Sequence, residues 1–264
     1  SRKSLHFLPF CALALLLSAC AKMGQPDGGW YDETPPQVIA ESPADGATGV
    51  NSKKATLYFS EYIKIDNPTE NVVVSPPQKE APEIKNEGKK ISVKLIDDLK
   101  PNTTYTIDFS NAISDNNEGN PLGNYTYTFS TGDHIDTMEV AGCVVEADNL
   151  EPVKGILVGL YDNLADSAFT TLPMLRVART DDTGHFDIKG VRNGNYHVFA
   201  LQDADGNYMF NAKSEMIAFD KTVYATTCRP DIRQDTIWRD SLHIQDIKRI
   251  PYTHFLPDNI VLRA

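Results

Sequence analysis

The sequence predicts an all-β chain: two β-sandwiches in tandem behind an N-terminal export segment, followed by a short, incomplete β segment. Three observations carry this. From Gln37 onward, apolar and polar residues alternate with period two in runs of five or six, as in Ala55-Thr56-Leu57-Tyr58-Phe59 and Thr104-Tyr105-Thr106-Ile107-Asp108-Phe109. Turn chemistry separates the runs, as at Pro43-Ala44-Asp45-Gly46, Asn86-Glu87-Gly88 and Asn117-Glu118-Gly119-Asn120-Pro121. Between the runs of the first hundred residues no helical stretch intervenes, so the strands must pack as antiparallel sheets face to face.

The chain opens with Arg2 and Lys3, an apolar run from Leu5 to Leu17, and the small residues Ser18 and Ala19. This is the layout of an export signal, with an apolar part too short to span a membrane once mature. Cys20 follows at once, and Leu17-Ser18-Ala19-Cys20 resembles the lipobox of bacterial lipoproteins. That resemblance implies cleavage before Cys20, a diacylglycerol on its thiol and a membrane anchor of acyl chains. An ordinary cleaved signal and a buried helix with a chance cysteine are the alternatives. Residues 1–19 are read as the signal and 20–35 as the lipidated cysteine and a Gly- and Pro-rich tether. Trp30 and Tyr31 in the tether suit packing or a membrane interface better than a sugar contact.

Residues 36–132 form the first sandwich, with further strands at Ile91-Ser92-Val93-Lys94-Leu95 and Tyr125-Thr126-Tyr127-Thr128-Phe129. Pro35-Pro36-Gln37-Val38, Ser42-Pro43-Ala44-Asp45-Gly46, Leu99-Lys100-Pro101-Asn102-Thr103-Thr104-Tyr105 and Phe129-Ser130-Thr131-Gly132 resemble, in order, the signatures of the bacterial Ig-like domain of surface-layer proteins and lipoproteins. The resemblance implies a spacer or adhesion module without catalytic residues.

Residues 136–220 form the second sandwich, entered by Met138–Val145 and the run Ile156–Tyr161, whose middle reads as buried on both faces. Thr180-Asp181-Asp182-Thr183-Gly184-His185-Phe186 and Asn193-Gly194-Asn195-Tyr196 resemble the transthyretin-like, carboxypeptidase regulatory-like domain, which implies a structural or sugar-binding add-on. The segment Asp162–Leu175 departs from its shorter members. Residues 221–264 read as short strands, ending in Asn259–Ala264 either as a truncation or as an edge strand that returns to an earlier sheet.

Chemistry is sparse. Asp203, Asp205 and Asn207 around Gly206 offer oxygen ligands for a weak calcium site, but the twelfth position from Asp203 is Ser214, so a plain turn is the leading reading. Asp115-Asn116-Asn117-Glu118-Gly119 is weighed in the same way. With Cys11 in the signal and Cys20 lipidated, Cys143 and Cys228 remain, either as a disulfide or as two buried thiols. His185 and His197 fall on strands predicted to be neighbours, where a hydrogen-bonded or solvent-facing role is the default. Phosphate loops, zinc helices and nucleophile elbows are not present, so no metal or cofactor beyond the lipid and no catalytic residue is expected.

The chain carries 25 basic and 36 acidic residues, a net charge of -11, which disfavours nucleic acid as a partner and leaves the membrane contact to the acyl chains. The expected role is structural or adhesive at the outer membrane, on the cell surface or its periplasmic face, with an envelope protein or glycan as partner. The alternative is a carbohydrate-binding lipoprotein assisting glycan uptake, which needs an exposed aromatic row; Tyr58, Tyr62, Tyr125 and Tyr127 are the clustered candidates.

Overall fold

The computed structural model describes residues 32–240 and 243–264, so the lipobox Leu17-Ser18-Ala19-Cys20, Trp30 and Tyr31 lie outside the described residues. The chain divides into Ser1–Glu33 and a compact unit Thr34–Ala264, and it is the second unit whose architecture follows. Its regular structure is nearly all β, 49% strand against 3% helix.

Its first half contains β1 (Val38–Ser42), β2 (Lys54–Phe59), β3 (Ile63–Ile65), the one-turn helix α1 (Pro68–Asn71), β4 (Val73–Ser75), β5 (Glu83–Asn86), β6 (Lys90–Lys94), β7 (Thr104–Ser110), β8 (Ile113–Asp115) and β9 (Tyr125–Ser130). One sheet runs β1-β2-β6-β5 and the facing one β4-β7-β9, with β3 paired to β8 at the side. The alternation of β2 explains the packing: Ala55, Leu57 and Phe59 are buried while Tyr58 points out. They meet Ile91, Val93, Ile107, Phe109 and Phe129 from the other strands in one core, where Tyr105 stacks on Phe129 with ring centroids 5.2 Å apart.

The second half holds β10 (Met138–Val145), β11 (Leu157–Tyr161), the one-turn helix α2 (Ala168–Thr171), β12 (Arg176–Arg179), β13 (His185–Val191), β14 (Asn195–Leu201), β15 (Ile217–Phe219), β16 (Tyr224–Ala225), β17 (Thr227–Asp240), β18 (His243–Leu256) and β19 (Ile260–Arg263). One sheet is β13-β10-β19; the other is β12-β11-β14-β15, with β16 also on β14. All five residues of β11 are buried. The Asp181–Gly184 turn is held by Asp181 Oδ1, which accepts from the backbone N–H of Thr183 (2.8 Å) and His185 (3.0 Å). Gly184 sits there at φ +73°, and a Cβ would lie 2.6 Å from the Val144 carbonyl oxygen, so glycine is required on both counts.

Two expectations change. The sheets do not stop at residue 220: β16 pairs with β14, and β19 lies parallel to β10 from Gly142↔Ile260 to Val145↔Arg263. The terminal run is therefore the returning edge strand, and its apolar residues Ile260 and Leu262 enter the core of the second sandwich. The residues between become one long antiparallel ribbon, β17–β18, rather than several short strands. The segment Asp162–Leu175, unassigned from sequence, folds around α2 and buries Ala168 and Phe169.

Candidate functional site

The junction of the sandwiches is the most elaborate polar site among the described residues. Arg176 opens β12 and is only 5% exposed. Its guanidinium crosses to the first sandwich, donating to the Thr104 carbonyl and to Thr106 Oγ1 (3.2 Å), and returns a bond to the Lys189 carbonyl of β13 (2.7 Å). Burial pulls its pKa down to about 10, opposed by the nearby Asp136 carboxylate, so it stays charged at neutral pH. Val177 N–H donates to Ser75 Oγ of β4 (3.0 Å), so the end of β4 supplies an acceptor that β12 lacks from its own sheet. Beside these, Val73 of the first sandwich packs into an apolar cluster with Tyr161, Phe169, Met174, Val177 and Leu201 of the second.

Asp136, in the connection, completes the junction. Its N–H donates to Thr104 Oγ1 (2.9 Å), and Arg192 Nε lies 3.4 Å from its Oδ1. Arg192 also donates to the Asn102 carbonyl (3.2 Å). Clefts flank this contact: one of about 420 Å³ lined by Asp66, Asp108, Lys154, Arg179 and Asp181, and one of about 560 Å³ lined by Gln78, Lys79, Arg179, Asp203 and Tyr208. The junction thus offers mixed charge and hydrogen-bonding groups, and its chemistry is that of a desolvated brace.

The Asp203 turn gains a residue that counting from Asp203 does not bring in. Glu215 is buried, and carboxylate oxygens of Asp203, Asp205 and Glu215 lie within 4.8 Å of one another. These three carboxylates are close enough together to hold a hard cation through oxygen, beside Asn207 in the same turn. Asn207 closes the turn, its amide donating to Asp205 Oδ2 (2.8 Å). The cluster is explained by its hydrogen bonds: Asp203 accepts from the N–H of Gly206 (2.9 Å) and Tyr208 (2.8 Å), and Glu215 from those of Ala204, Asn211 and Ala212. Backbone donors hold the Glu215 carboxyl below its ordinary value. Asp115 does the same at the other turn, accepting from Asn117, Glu118, Gly119 and Asn120 N–H.

At the base of the ribbon, His254 lies between two carboxylates, Nδ1 3.0 Å from Asp231 and Nε2 2.7 Å from Asp258. The bonds to Asp258 and Asp231 raise its pKa. Glu139 of β10 lines a shallow cleft with His254 and Asp258, and burial, helped by Asp187, pushes its carboxyl up to about 7.

Other expected groupings do not form. Cys143 on β10 is half-buried and Cys228 on β17 is exposed, and both are free thiols, so no bridge joins them. The reason is placement: Cys143 is paired opposite His185 in the second sandwich, whereas Cys228 lies opposite Phe255 in the ribbon. His185 and His197 lie on strands of different sheets, β13 and β14, and His197 faces Tyr161 across its ladder. The tyrosines do not make an exposed row. Tyr127 is fully buried with its hydroxyl on the Pro43 carbonyl (2.9 Å), and Tyr125 is half-buried with its hydroxyl 3.2 Å from Glu41. Tyr58 and Tyr62 alone are exposed.

No helix among the described residues is long and apolar enough to cross a membrane. Among solved structures the chain is similar to the N-terminal part of the bacterial S-layer protein SbsC, at 13% identity and a TM-score of 0.26, covering 70% of this chain and 43% of that one. It is also similar to the T6 backbone pilin of Streptococcus pyogenes, at 11% identity and a TM-score of 0.24, covering 86% and 66% of the two chains. A third is an L,D-transpeptidase from Mycobacterium smegmatis, at 14% identity and a TM-score of 0.24, covering 56% and 77%. Likeness at these scores carries no argument about what this chain does, and the chain spans less than half of the S-layer fragment. No curated protein matches the sequence. Residues 32–131 do match the family model of the bacterial Ig-like domain, the span of the first sandwich and of its signature turns, and that sandwich is a bacterial Ig-like domain.

Proposed function

We propose that this chain is a non-catalytic structural module of the bacterial cell envelope, lipid-anchored through Cys20 at the outer membrane, whose two sandwiches are braced into one body. The observation that carries this is the junction. A buried arginine with no acid in direct contact, backbone-to-side-chain bonds across sandwiches and a shared apolar cluster spend the chain's most costly polar burial on joining two modules. A hinge between independently moving domains has no need of this arrangement. The anchor rests on the Leu17-Ser18-Ala19-Cys20 resemblance, and the second sandwich is read as the transthyretin-like module that its turn signatures suggest.

Carbohydrate binding has less support, because two of the four tyrosines it needs are taken into the core. The test is metabolic labelling with a clickable palmitate in cells with intact maturation enzymes, beside a Cys20→Ser variant. Label on the wild type alone supports the reading, and an unlabelled wild type refutes it.

A further inference from the structure

Among the described residues, the ribbon β17–β18 is the one large element that contributes to neither core. Its strands are 14 residues each and pair from Thr227↔Leu256 to Asp240↔His243. Directly opposed residues share a face and successive pairs alternate, so the register assigns the two faces. One face takes Cys228/Phe255, Pro230/Thr253, Ile232/Pro251, Gln234/Arg249, Thr236/Ile247 and, past the bulge, Trp238/Ile244. The other takes Arg229/His254, Asp231/Tyr252, Arg233/Ile250, Asp235/Lys248 and Ile237/Asp246. The first face is apolar but for Thr236, Thr253, Gln234 and Arg249, and the second carries most of the charge. Yet the apolar side is open to solvent: Ile232 is 61%, Trp238 57%, Ile244 52% and Ile247 50% exposed. A two-stranded ribbon on its own is marginally stable in water, and an uncovered apolar face makes it more so.

The edges of the ribbon narrow the choice of partner. Pro230 and Pro251 both fall on pairs of the same parity, the parity of the apolar face. Proline has no N–H for the ladder, so these are the pairs whose backbone nitrogens point outward, and each outer edge lacks a donor midway. Bulges at Ile237/Trp238 and Trp238/Asp240 distort the distal end as well. Addition of a further strand at an edge is therefore blocked, and contact goes through the face.

Charge and area indicate the occupant. The segment 227–256 contains five basic and four acidic residues, net +1, whereas the rest of the chain carries 20 basic and 32 acidic, net -12. Two copies that met body to body would repel; two that meet at their ribbons bring together the near-neutral region of each. The apolar face presents roughly 500 Å² per copy, so two faces stacked about a two-fold axis bury roughly 1,000 Å², the lower limit for a specific interface. We propose that the apolar face of the β17–β18 ribbon is a self-association surface, occupied by the same face of a second copy of this chain. The proposal does not depend on the lipid anchor.

The test uses the soluble chain from Ala21 onward, which retains the whole compact unit Thr34–Ala264. Sedimentation equilibrium from 1 to 200 μM, in 50 and 500 mM NaCl, reads the association constant. The expected result is a monomer–dimer equilibrium in the micromolar range that tightens several-fold at high salt, because salt screens repulsion between the acidic bodies. Ile247→Lys or Trp238→Ser should weaken it at least tenfold, while Asp235→Ser on the opposite face should leave it within twofold. An unchanged thermal transition confirms that the variants fold. A wild type that stays monomeric at 200 μM overturns the proposal, whether or not it binds phosphatidylethanolamine vesicles; binding to them would assign the face to lipid instead. Dimers that survive Ile247→Lys overturn it too.

Discussion

Replacing Arg176 by Met tests the brace between the sandwiches. The guanidinium makes three hydrogen bonds, to the Thr104 carbonyl, Thr106 Oγ1 and the Lys189 carbonyl. Bonds to a charged group contribute about 1.5–3 kcal/mol each, so together they are worth roughly 4.5–9 kcal/mol. Against this stands the burial of the charge. Its pKa falls from 12.5 to about 10, which at about 1.4 kcal/mol per unit opposes folding by roughly 3 kcal/mol. Methionine fills much of the volume but leaves both carbonyls without this donor, and the balance is a loss of about 1.5–6 kcal/mol. The assay is urea unfolding of the soluble chain, followed by near-ultraviolet circular dichroism of the buried tyrosines of both sandwiches, Tyr105, Tyr127, Tyr161 and Tyr196, and by far-ultraviolet circular dichroism. The wild type should unfold in one transition that both probes share, because the junction couples the halves. Arg176→Met should lower the midpoint and separate the probes into two transitions. If Arg176→Met is as stable as the wild type and still unfolds in one step, the desolvation term outweighs the bonds and the brace is apolar, residing in Val73 and its cluster.

Other outcomes follow from single groups. Glu139 titrates near pH 7 in the fold against 4.5 when free, so its contribution is fully present below about pH 4.5 and is lost as pH rises through 7. The full shift is discounted because the group is only half-buried, and the step should be about 1–2 kcal/mol; Glu139→Gln should abolish it in melts taken from pH 5 to 8.5. The raised His254 value works in the same sense: both imidazole N–H groups donate below its unfolded value, and the clamp loosens as pH rises through the folded one. Amide exchange at the ribbon base, around Asp231 and His254, should therefore quicken at alkaline pH beyond the intrinsic rate. Gly142→Ala would place a Cβ 2.2 Å from the Ile260 carbonyl oxygen, which backbone alone must relieve; β19 should detach or the fold lose about 3 kcal/mol, visible as lost exchange protection at residues 260–263.

Much of the fold was legible because local chemistry and burial agree. Ala55, Leu57 and Phe59 alternate in sequence and enter one core, and Asp181 and Gly184 form the turn their types require. What was not legible depends on contacts between distant segments. Nothing local marks Arg176 for burial; it is the first sandwich, through Thr104 and Thr106, that covers it. Glu215 sits one position beyond the register in which a calcium loop is counted, and only the fold of the 203–215 loop brings it to Asp203 and Asp205. The parallel pairing of β19 with β10 has no local signal, since parallel partners are not joined by a turn. Residues 227–256 give only short strand signals locally, since Pro230 and Pro251 interrupt the propensity of runs that nevertheless pair throughout.

The return of β19 also sets an order of events. The second sandwich opens with β10, but the neighbour that completes that sheet arrives more than a hundred residues later, at Ile260–Arg263. While the polypeptide is still being completed, the Val140 and Val144 side of this sheet waits for Ile260 and Leu262. The early Ig-like half has every one of its strands in hand long before then. Folding should accordingly proceed from front to back, with the rear half open to proteolysis until its last strand has been delivered.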